Sequence, residues 1–206
     1  MIAIVDYGVG NLHSISGAVR MLTDDVVITS DKDVLSSADG IILPGVGAFG
    51  DAAEKLFETG LGDIVVSRAK AGVPLLGVCL GMQLLFEKSF EYGEHKGLGL
   101  LKGEIAPMAE DLTDKVKVPH MGWNALEIRK DCALTRYIKN GDYVYYVHSF
   151  YARGLNCLNA GSEYGNLFVP GMVSEGNVFG CQFHPEKSGS VGLDILKAFL
   201  EVTRNA

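Results

Sequence analysis

Cys79 is the residue of this sequence best placed to be a nucleophile. It follows an apolar stretch over residues 73–76 and precedes a second one over 84–86, with Gly77 and Gly81 each two residues away. A buried strand that ends at such a cysteine and continues as a helix predicts a nucleophile elbow, the sharp turn that lifts one side chain above a sheet. A helix N-terminus favours the thiolate, and glycines are needed where the two backbones approach closely. Taken alone, the segment also fits a buried structural cysteine.

A histidine and a carboxylate near the end of the chain could activate this cysteine. The stretch 178–183 predicts a strand that runs into His184, and Pro185 disfavours the α conformation in the residue before it. His184 is therefore expected to be extended, so that its side chain and that of Glu186 face the same way. A cysteine nucleophile needs a general base, and that base needs an acceptor to hold its tautomer. Taken singly, His184 could merely cap a strand, and Glu186 could be a solvated turn carboxylate.

A glycine-rich turn follows another buried strand. Residues 40–43 predict the strand and residues 44–47 predict the turn. Backbone N–H groups exposed by such a turn can stabilise developing negative charge. Without the cysteine motif, an ordinary strand-to-helix turn would be the preferred interpretation.

The elbow followed by Gln83, together with residues 183–186, resembles the class I (triad) glutamine amidotransferases over nearly the whole chain. The resemblance implies that Cys79 attacks the side-chain amide of glutamine, which releases ammonia and leaves a glutamyl thioester that water hydrolyses. It also implies that His184 is the general base and acid and that Glu186 orients it. No metal or cofactor is expected.

Four separated segments resemble one branch of that family, the glutaminase subunits of imidazole glycerol phosphate synthase in histidine biosynthesis. They cover residues 4–12, 44–49, 81–87 and 119–124. In that branch the subunit forms a heterodimer with a (β/α)8-barrel cyclase, which makes imidazole glycerol phosphate and AICAR. Ammonia travels through the barrel to the nucleotide intermediate.

The resemblance also implies which residues surround the substrate and the partner. It places the oxyanion hole at the backbone N–H groups of Val46 and Leu80. The glutamine contacts that it implies are Gly47, Gln83, Glu91, Ser149 and Phe150. The cyclase face that it implies consists of Asn11, Met121, Gly122, Trp123, Asn124, Tyr145 and His148.

Plainer interpretations of these side chains remain open. Gln83 could be a polar position on the first turn of a helix, Glu91 a surface charge and Ser149 a strand-end hydroxyl. Trp123 would suit a core as well as an interface. The alternation over residues 143–147 fits a strand with one buried face, so that some of its tyrosines only pack.

Composition limits the class of protein. With 206 residues, 48% hydrophobic and 21% charged, the chain is expected to form one globular domain over 1–206. The net charge of −7 argues against nucleic-acid binding, because no basic patch is available for phosphates. No long apolar stretch or signal peptide is recognised, so we expect no membrane association and a cytoplasmic location. Three further cysteines show no C-x-x-C pair and are expected to be apolar fillers: Cys132, Cys157 and Cys181.

Strand and helix patterns alternate along most of the chain. We predict strands over 1–5, 26–29, 40–43 and 74–78, and helices over 11–22, 52–57, 64–71 and 189–205, with one more helix after the elbow. This order predicts an α/β fold with a doubly wound, mainly parallel sheet flanked by helices. Short alternating segments over 99–171 predict an antiparallel extension. Sites in such sheets lie beyond the carboxyl ends of the strands, where all three catalytic segments fall.

Two other functions are compatible with parts of this pattern. One is a different class I glutaminase, such as that of pyridoxal phosphate synthase, although the chain has no Gly-Gly-Glu-Ser segment like that family's. The other is a catalytically silent regulatory relative. The presence of Cys79, His184 and Glu186 together argues against silence, because losing any one of them normally removes the chemistry.

Overall fold

The computed structural model describes residues 1–204, so that Asn205, the last residue of the predicted C-terminal helix, lies outside the described residues. The strands in chain order are β1 (Ile2–Val5), β2 (Val26–Thr29), β3 (Gly40–Gly45), β4 (Leu75–Cys79), β5 (Phe86–Ser89), β6 (His95–Lys96), β7 (Leu101–Pro107), β8 (His120–Ala125), β9 (Glu127–Ile128), β10 (Tyr143–His148), β11 (Phe150–Arg153), β12 (Leu158–Tyr164), β13 (Leu167–Glu175) and β14 (Val178–Cys181). The helices are α1 (Leu12–Arg20), α2 (Lys32–Ser36), α3 (Phe49–Glu58), α4 (Leu61–Lys70), α5 (Leu80–Leu84), α6 (Met108–Asp111) and α7 (Gly189–Arg204). Two 3-10 helices span Ala133–Thr135 and Pro185–Lys187.

The main sheet has eight strands in the order β2-β1-β3-β4-β14-β13-β12-β9. The first five strands pair in parallel, and the last three continue the sheet antiparallel. The parallel strands β1, β3, β4 and β14 are buried along their whole length, as expected for strands covered on both faces. The predicted α/β fold, with its antiparallel extension from the middle of the chain, is confirmed.

Helices cover both faces of the sheet, and the side chains of β1 alternate between these two faces. Ala3 and Val5 pack into the core beneath α2, α3 and α4, whereas Ile2 and Ile4 pack into the core beneath α1 and α7. Successive side chains of a strand point to opposite faces, so each helical layer buries one half of the strand's apolar residues. Two smaller sheets, β10-β8 and β11-β7-β5-β6, also contribute buried side chains to these cores, such as Tyr146 of β10 and Ile105 of β7.

Two helices show what the predicted pattern did not specify. The helix after the elbow spans only Leu80–Leu84, because Phe86 begins strand β5, which pairs with β7. Helix α2 was not predicted; it is only five residues long, too short for an apolar periodicity. Among residues 1–204, no helix has both the length and the apolar character needed to cross a bilayer.

Candidate active site

The turn between β4 and α5 has the geometry predicted for an elbow. Cys79 has φ +55°, a left-handed conformation that side chains other than glycine rarely adopt. A Cβ atom on Gly81 would lie 1.8 Å from the carbonyl oxygen of Leu43, and one on Gly77 would lie 2.7 Å from the carbonyl oxygen of Gly81. Both flanking glycines are therefore required sterically, as expected from the close approach of strand and helix.

His184 and Glu186 form a buried pair. The Nδ1 atom of His184 lies 2.8 Å from Oε1 of Glu186, and their side chains are only 4% and 3% exposed. His184 is extended, as predicted, with φ −97° and ψ 100°. Residues Pro185–Lys187, however, form a 3-10 helix, so the two side chains meet around a turn and not by strand alternation. The proline at the first position of that turn already has the φ value that the turn needs.

Opposing effects set the charge of His184. Burial alone lowers the pKa of His184, but the hydrogen bonds to the side chains of Cys79 and Glu186, and their charges, outweigh burial and raise the pKa from 6.5 to about 9. The arrangement therefore favours an imidazolium between a sulfur and a carboxylate. The second oxygen of Glu186, Oε2, is buried and has no partner among the described residues.

One cavity brings the predicted site residues together. It has a volume of about 320 Å³ and lies at the carboxyl end of β4. Its lining includes every predicted catalytic, oxyanion and glutamine residue except Glu186: Val46, Gly47, Cys79, Leu80, Gln83, Glu91, Ser149, Phe150 and His184. A larger cavity of about 760 Å³ lies beside Pro74 and Asn177, just before β4 and β14 begin, and contains none of the predicted site residues. The smaller cavity is therefore the candidate site.

Hydrogen bonds within the protein hold two polar side chains of the cavity in place. Gln83 donates hydrogen bonds from Nε2 to the carbonyl oxygen of Phe150 (3.1 Å) and to Oε1 of Gln182 (2.9 Å). Both of its donors are thus used, which leaves only its Oε1 atom for a substrate. Glu91 accepts a hydrogen bond from the backbone N–H of Phe49 (2.6 Å). Burial raises the pKa of Glu91, and that hydrogen bond partly offsets the shift.

Tyr92 was missed by the sequence analysis. Its side chain is 89% exposed, its φ is +54°, and its ring lies edge-on to Phe150 with 6.2 Å between the centroids. It lines the same cavity. The only sequence signal was its place between Glu91 and Gly93, where a turn is expected.

The residues predicted to face a partner divide into two groups. Met121 and Trp123 on β8 are 61% and 55% exposed, and the Trp123 ring lies edge-on to Tyr145 at 6.1 Å. The core interpretation of Trp123 is therefore wrong. The prediction that His148 is on the partner face is wrong. His148 is buried and lines the cavity, because alternate residues of β10 point inward.

Three other residues of the predicted partner face, Asn11, Gly122 and Asn124, differ in their exposure and hydrogen bonds. Asn11 is exposed and caps α1 by accepting a hydrogen bond from the N–H of Ser14 (3.3 Å). Gly122 has φ +124°, and Asn124 is half-buried with its amide bonded inside the protein.

Comparisons with known proteins agree with this geometry. The family model described as "Glutamine amidotransferase class-I" matches residues 3–202. Imidazole glycerol phosphate synthase subunit HisH of Lactococcus lactis is 48% identical over 204 residues, which cover 97% of this chain and 98% of that protein. The same subunit of Listeria monocytogenes serotype 4b is 49% identical over 209 residues, which cover 100% of this chain and 97% of that protein.

Solved structures share the fold at low identity. A crystal structure of a glutamine amidotransferase superposes with a TM-score of 0.77 at 21% identity, covering 99% of this chain and 100% of that chain. The glutaminase domain of Trypanosoma brucei CTPS, with bound acivicin, superposes with a TM-score of 0.70 at 16% identity, covering 99% and 93%.

The chain belongs to the class I glutamine amidotransferases, enzymes that hydrolyse glutamine. The similar proteins described above identify one family within this class. Within it, the chain is a member of the HisH family, the amidotransferase subunits of imidazole glycerol phosphate synthase in histidine biosynthesis.

Proposed function

We propose that Cys79 is the nucleophile of a glutaminase reaction and that His184 and Glu186 complete its triad. The observation that carries this proposal is that the side chains of Cys79 and His184 interact at the wall of one cavity, while Oε1 of Glu186 lies 2.8 Å from Nδ1 of His184. A nucleophile, a base in contact with it and an acceptor that holds the base are the three parts that such catalysis needs.

The reaction then has two steps. The Cys79 thiolate attacks the side-chain amide carbon of glutamine, and the protonated His184 gives its proton to the leaving ammonia as the C–N bond breaks. In the second step His184 accepts a proton from a water molecule, and the resulting hydroxide attacks the thioester. The C–S bond breaks, glutamate leaves and the thiolate is restored. A His184 whose pKa lies above neutrality is protonated when the first step needs its proton.

The backbone N–H groups of Val46 and Leu80 are our candidates for the oxyanion hole. Both residues line the cavity with Cys79. Leu80 is the first residue of α5, where N–H groups have no partner within the helix. Two such donors aimed at the tetrahedral oxygen would each lower the barrier by about 3 kcal/mol.

Five residues are our candidates for holding the glutamine. A buried carboxylate attracts an ammonium group strongly, so Glu91 suits the α-ammonium of the substrate. Gln83 offers its Oε1 atom, while Ser149, Phe150 and Gly47 line the cavity around the substrate chain.

The exposed part of β8 is our candidate for the face that meets a (β/α)8-barrel cyclase. Met121 and Trp123 are large apolar side chains left in solvent, and such residues are enriched at protein interfaces. Asn11, Gly122, Asn124 and Tyr145 extend this face in our proposal. The subunit would work in the cytoplasm as a heterodimer and deliver ammonia into the barrel.

The test measures glutamate release by the chain mixed with a cyclase subunit. Cys79→Ala should reduce the rate at least about 10³-fold, because the nucleophile is lost. Cys157→Ala is the matched control, since it removes a buried thiol that does not line the cavity. Glutamate release by Cys79→Ala at the parent's rate would refute the catalytic proposal. A cyclase that neither binds nor stimulates the parent would refute the partner proposal alone.

A further inference from the structure

A buried pair of histidines connects strand β8 to the cavity. His120 is 2% exposed and His148 is 7% exposed. His148 Nδ1 lies 2.8 Å from the carbonyl oxygen of Phe150, and its Nε2 lies 3.1 Å from Nδ1 of His120. The other ring nitrogen of His120, Nε2, lies 3.2 Å from Nδ2 of Asn124. The four groups form one continuous line of hydrogen bonds.

The groups at the ends of this line determine which atoms carry protons. The Phe150 carbonyl can only accept, so His148 carries its proton on Nδ1, and its Nε2 accepts. His120 must then donate from Nδ1 and accept at Nε2. The other hydrogen bonds of Asn124 are consistent with this assignment, because they show that its nitrogen faces His120. Its Nδ2 also donates to the Glu163 carbonyl (2.8 Å), and its Oδ1 accepts from the N–H of Ala125 (2.9 Å). Every donor therefore points from β8 toward the cavity.

Both histidines are neutral in this arrangement. Burial lowers the pKa of His120 to about 4 and that of His148 to about 3. An added proton on either ring would place two donors against each other between the rings or against the Asn124 amide. The direction of the line thus depends on two uncharged rings with a fixed tautomer.

The line continues from Phe150 to the candidate nucleophile. The Phe150 carbonyl also accepts from Gln83 Nε2 (3.1 Å), and Gln83 donates its second hydrogen to Gln182 Oε1 (2.9 Å). Gln182 in turn donates from Nε2 to the sulfur of Cys79 (3.9 Å). A path of hydrogen bonds therefore joins the Asn124 amide on β8 to the Cys79 sulfur.

We infer that His120 and His148 are positioning residues for glutamine hydrolysis. They hold the Phe150 carbonyl in place, and that carbonyl orients the Gln83 amide in the glutamine pocket. The same pair ties the pocket to Asn124 on strand β8, the strand whose other side exposes Met121 and Trp123. This inference rests on the proposed function of the cavity.

His120→Phe tests the pair with little change in shape. The His120 ring is stacked between Tyr146 and Tyr164, with centroids 4.4 and 4.1 Å away, and a phenyl ring preserves both stacks. The variant removes only the donor to His148 and the acceptor for Asn124. We expect KM for glutamine to rise about tenfold, with kcat changed about twofold or less, because a buried acceptor on the pocket side is left unsatisfied. The assay is glutamate release in the complex with the cyclase.

Tyr146→Phe is the matched control. It removes a buried hydroxyl, bonded to Ser162 Oγ at 3.0 Å, from a ring that stacks on His120, but it removes no donor from the line. It should lose a similar amount of thermal stability and keep the parent's KM. His148→Gln should restore most of the parent's KM relative to His148→Leu, since its amide can accept from His120 and donate to Phe150.

Equal KM values for His120→Phe and Tyr146→Phe would overturn the inference. If Cys79→Ala still abolished activity, that result would leave the proposed function standing; activity in Cys79→Ala would overturn the proposed function itself. Nitrogen-15 NMR of the histidine rings tests the parent without any variant. We expect His148 to be protonated at Nδ1 and unprotonated at Nε2, and the opposite tautomer would also overturn the inference.

Discussion

The Nδ1 atom of His184 lies 2.8 Å from Oε1 of Glu186, and both side chains are almost completely removed from solvent. A buried carboxylate this close orients the imidazole and favours its protonated form. The orientation leaves the opposite ring nitrogen for the sulfur of Cys79, with which His184 also interacts. This pair is therefore where small changes in chemistry should alter catalysis without altering the fold.

Glu186→Gln should slow the reaction without abolishing it. The amide still accepts or donates a hydrogen bond at His184, but it no longer stabilises the imidazolium, and it can hold the wrong tautomer. We expect kcat for glutamate release to fall roughly 10²- to 10⁴-fold, with the pKa of His184 lower than in the parent. Steady-state kinetics over a range of pH would measure both. Turnover equal to that of the parent would remove Glu186 from the mechanism.

The stability of the chain should decrease with pH in a window set by His184. The folded state raises the pKa of His184 from 6.5 to about 9, so the folded chain binds this proton more tightly than the unfolded chain. The resulting stabilisation is fully present below about pH 6.5 and is lost as the pH rises to about 9; it is on the order of 3 kcal/mol. Urea unfolding at intervals of pH would measure it. His184→Gln should lack this decrease, whereas a change at the exposed His13 should keep it.

Gly81→Ala should disrupt the elbow. The new Cβ would lie 1.8 Å from the Leu43 carbonyl oxygen, which belongs to a central strand and cannot move away. We expect a loss of about 3 kcal/mol or more in the free energy of unfolding, together with loss of activity. Gly17→Ala is the control, because a Cβ there meets nothing within 4 Å and lies in helix α1. That variant should gain about 0.5–1 kcal/mol, and a similar gain in Gly81→Ala would contradict the steric argument.

Trp123→Ala should weaken the complex with the cyclase while leaving the isolated chain intact. The side chain is 55% exposed, so little buried area is lost in the free subunit. A tryptophan near the centre of an interface contributes about 2 kcal/mol or more to binding. Titration calorimetry with the cyclase subunit would measure the change in affinity. Met21→Ala is the control, because Met21 is exposed and lies at the other end of α1 from Asn11. Unchanged affinity in Trp123→Ala would place the interface elsewhere.

Much of the fold could be predicted because its signals are local. Strand β2 has the predicted bounds of 26–29, since a run of β-branched residues between polar neighbours has one dominant interpretation. The elbow was predictable because glycines two residues on either side of Cys79 describe a steric requirement that the structure then shows. Short elements such as α2, by contrast, carry too few residues for a period to be read.

Most residues that line the candidate cavity could be predicted from the sequence, but the contacts between them were harder to predict. His184 and Glu186 do meet, but around a turn that strand alternation did not predict. Tyr92 was missed, because an exposed aromatic next to a glycine has no signature of a pocket residue.

The reactive residue types, the alternation of the longer strands and helices, and the family that both imply could be predicted from the sequence. These depend on neighbours along the chain, whose spacing is set by covalent geometry. The inward orientation of His148 and the hydrogen bonds of the Gln83 amide to Phe150 and Gln182 became clear only from the packing of the strands. Such contacts join residues far apart in sequence, and they depend on strand register and packing, where a shift of one residue turns each side chain to the opposite face.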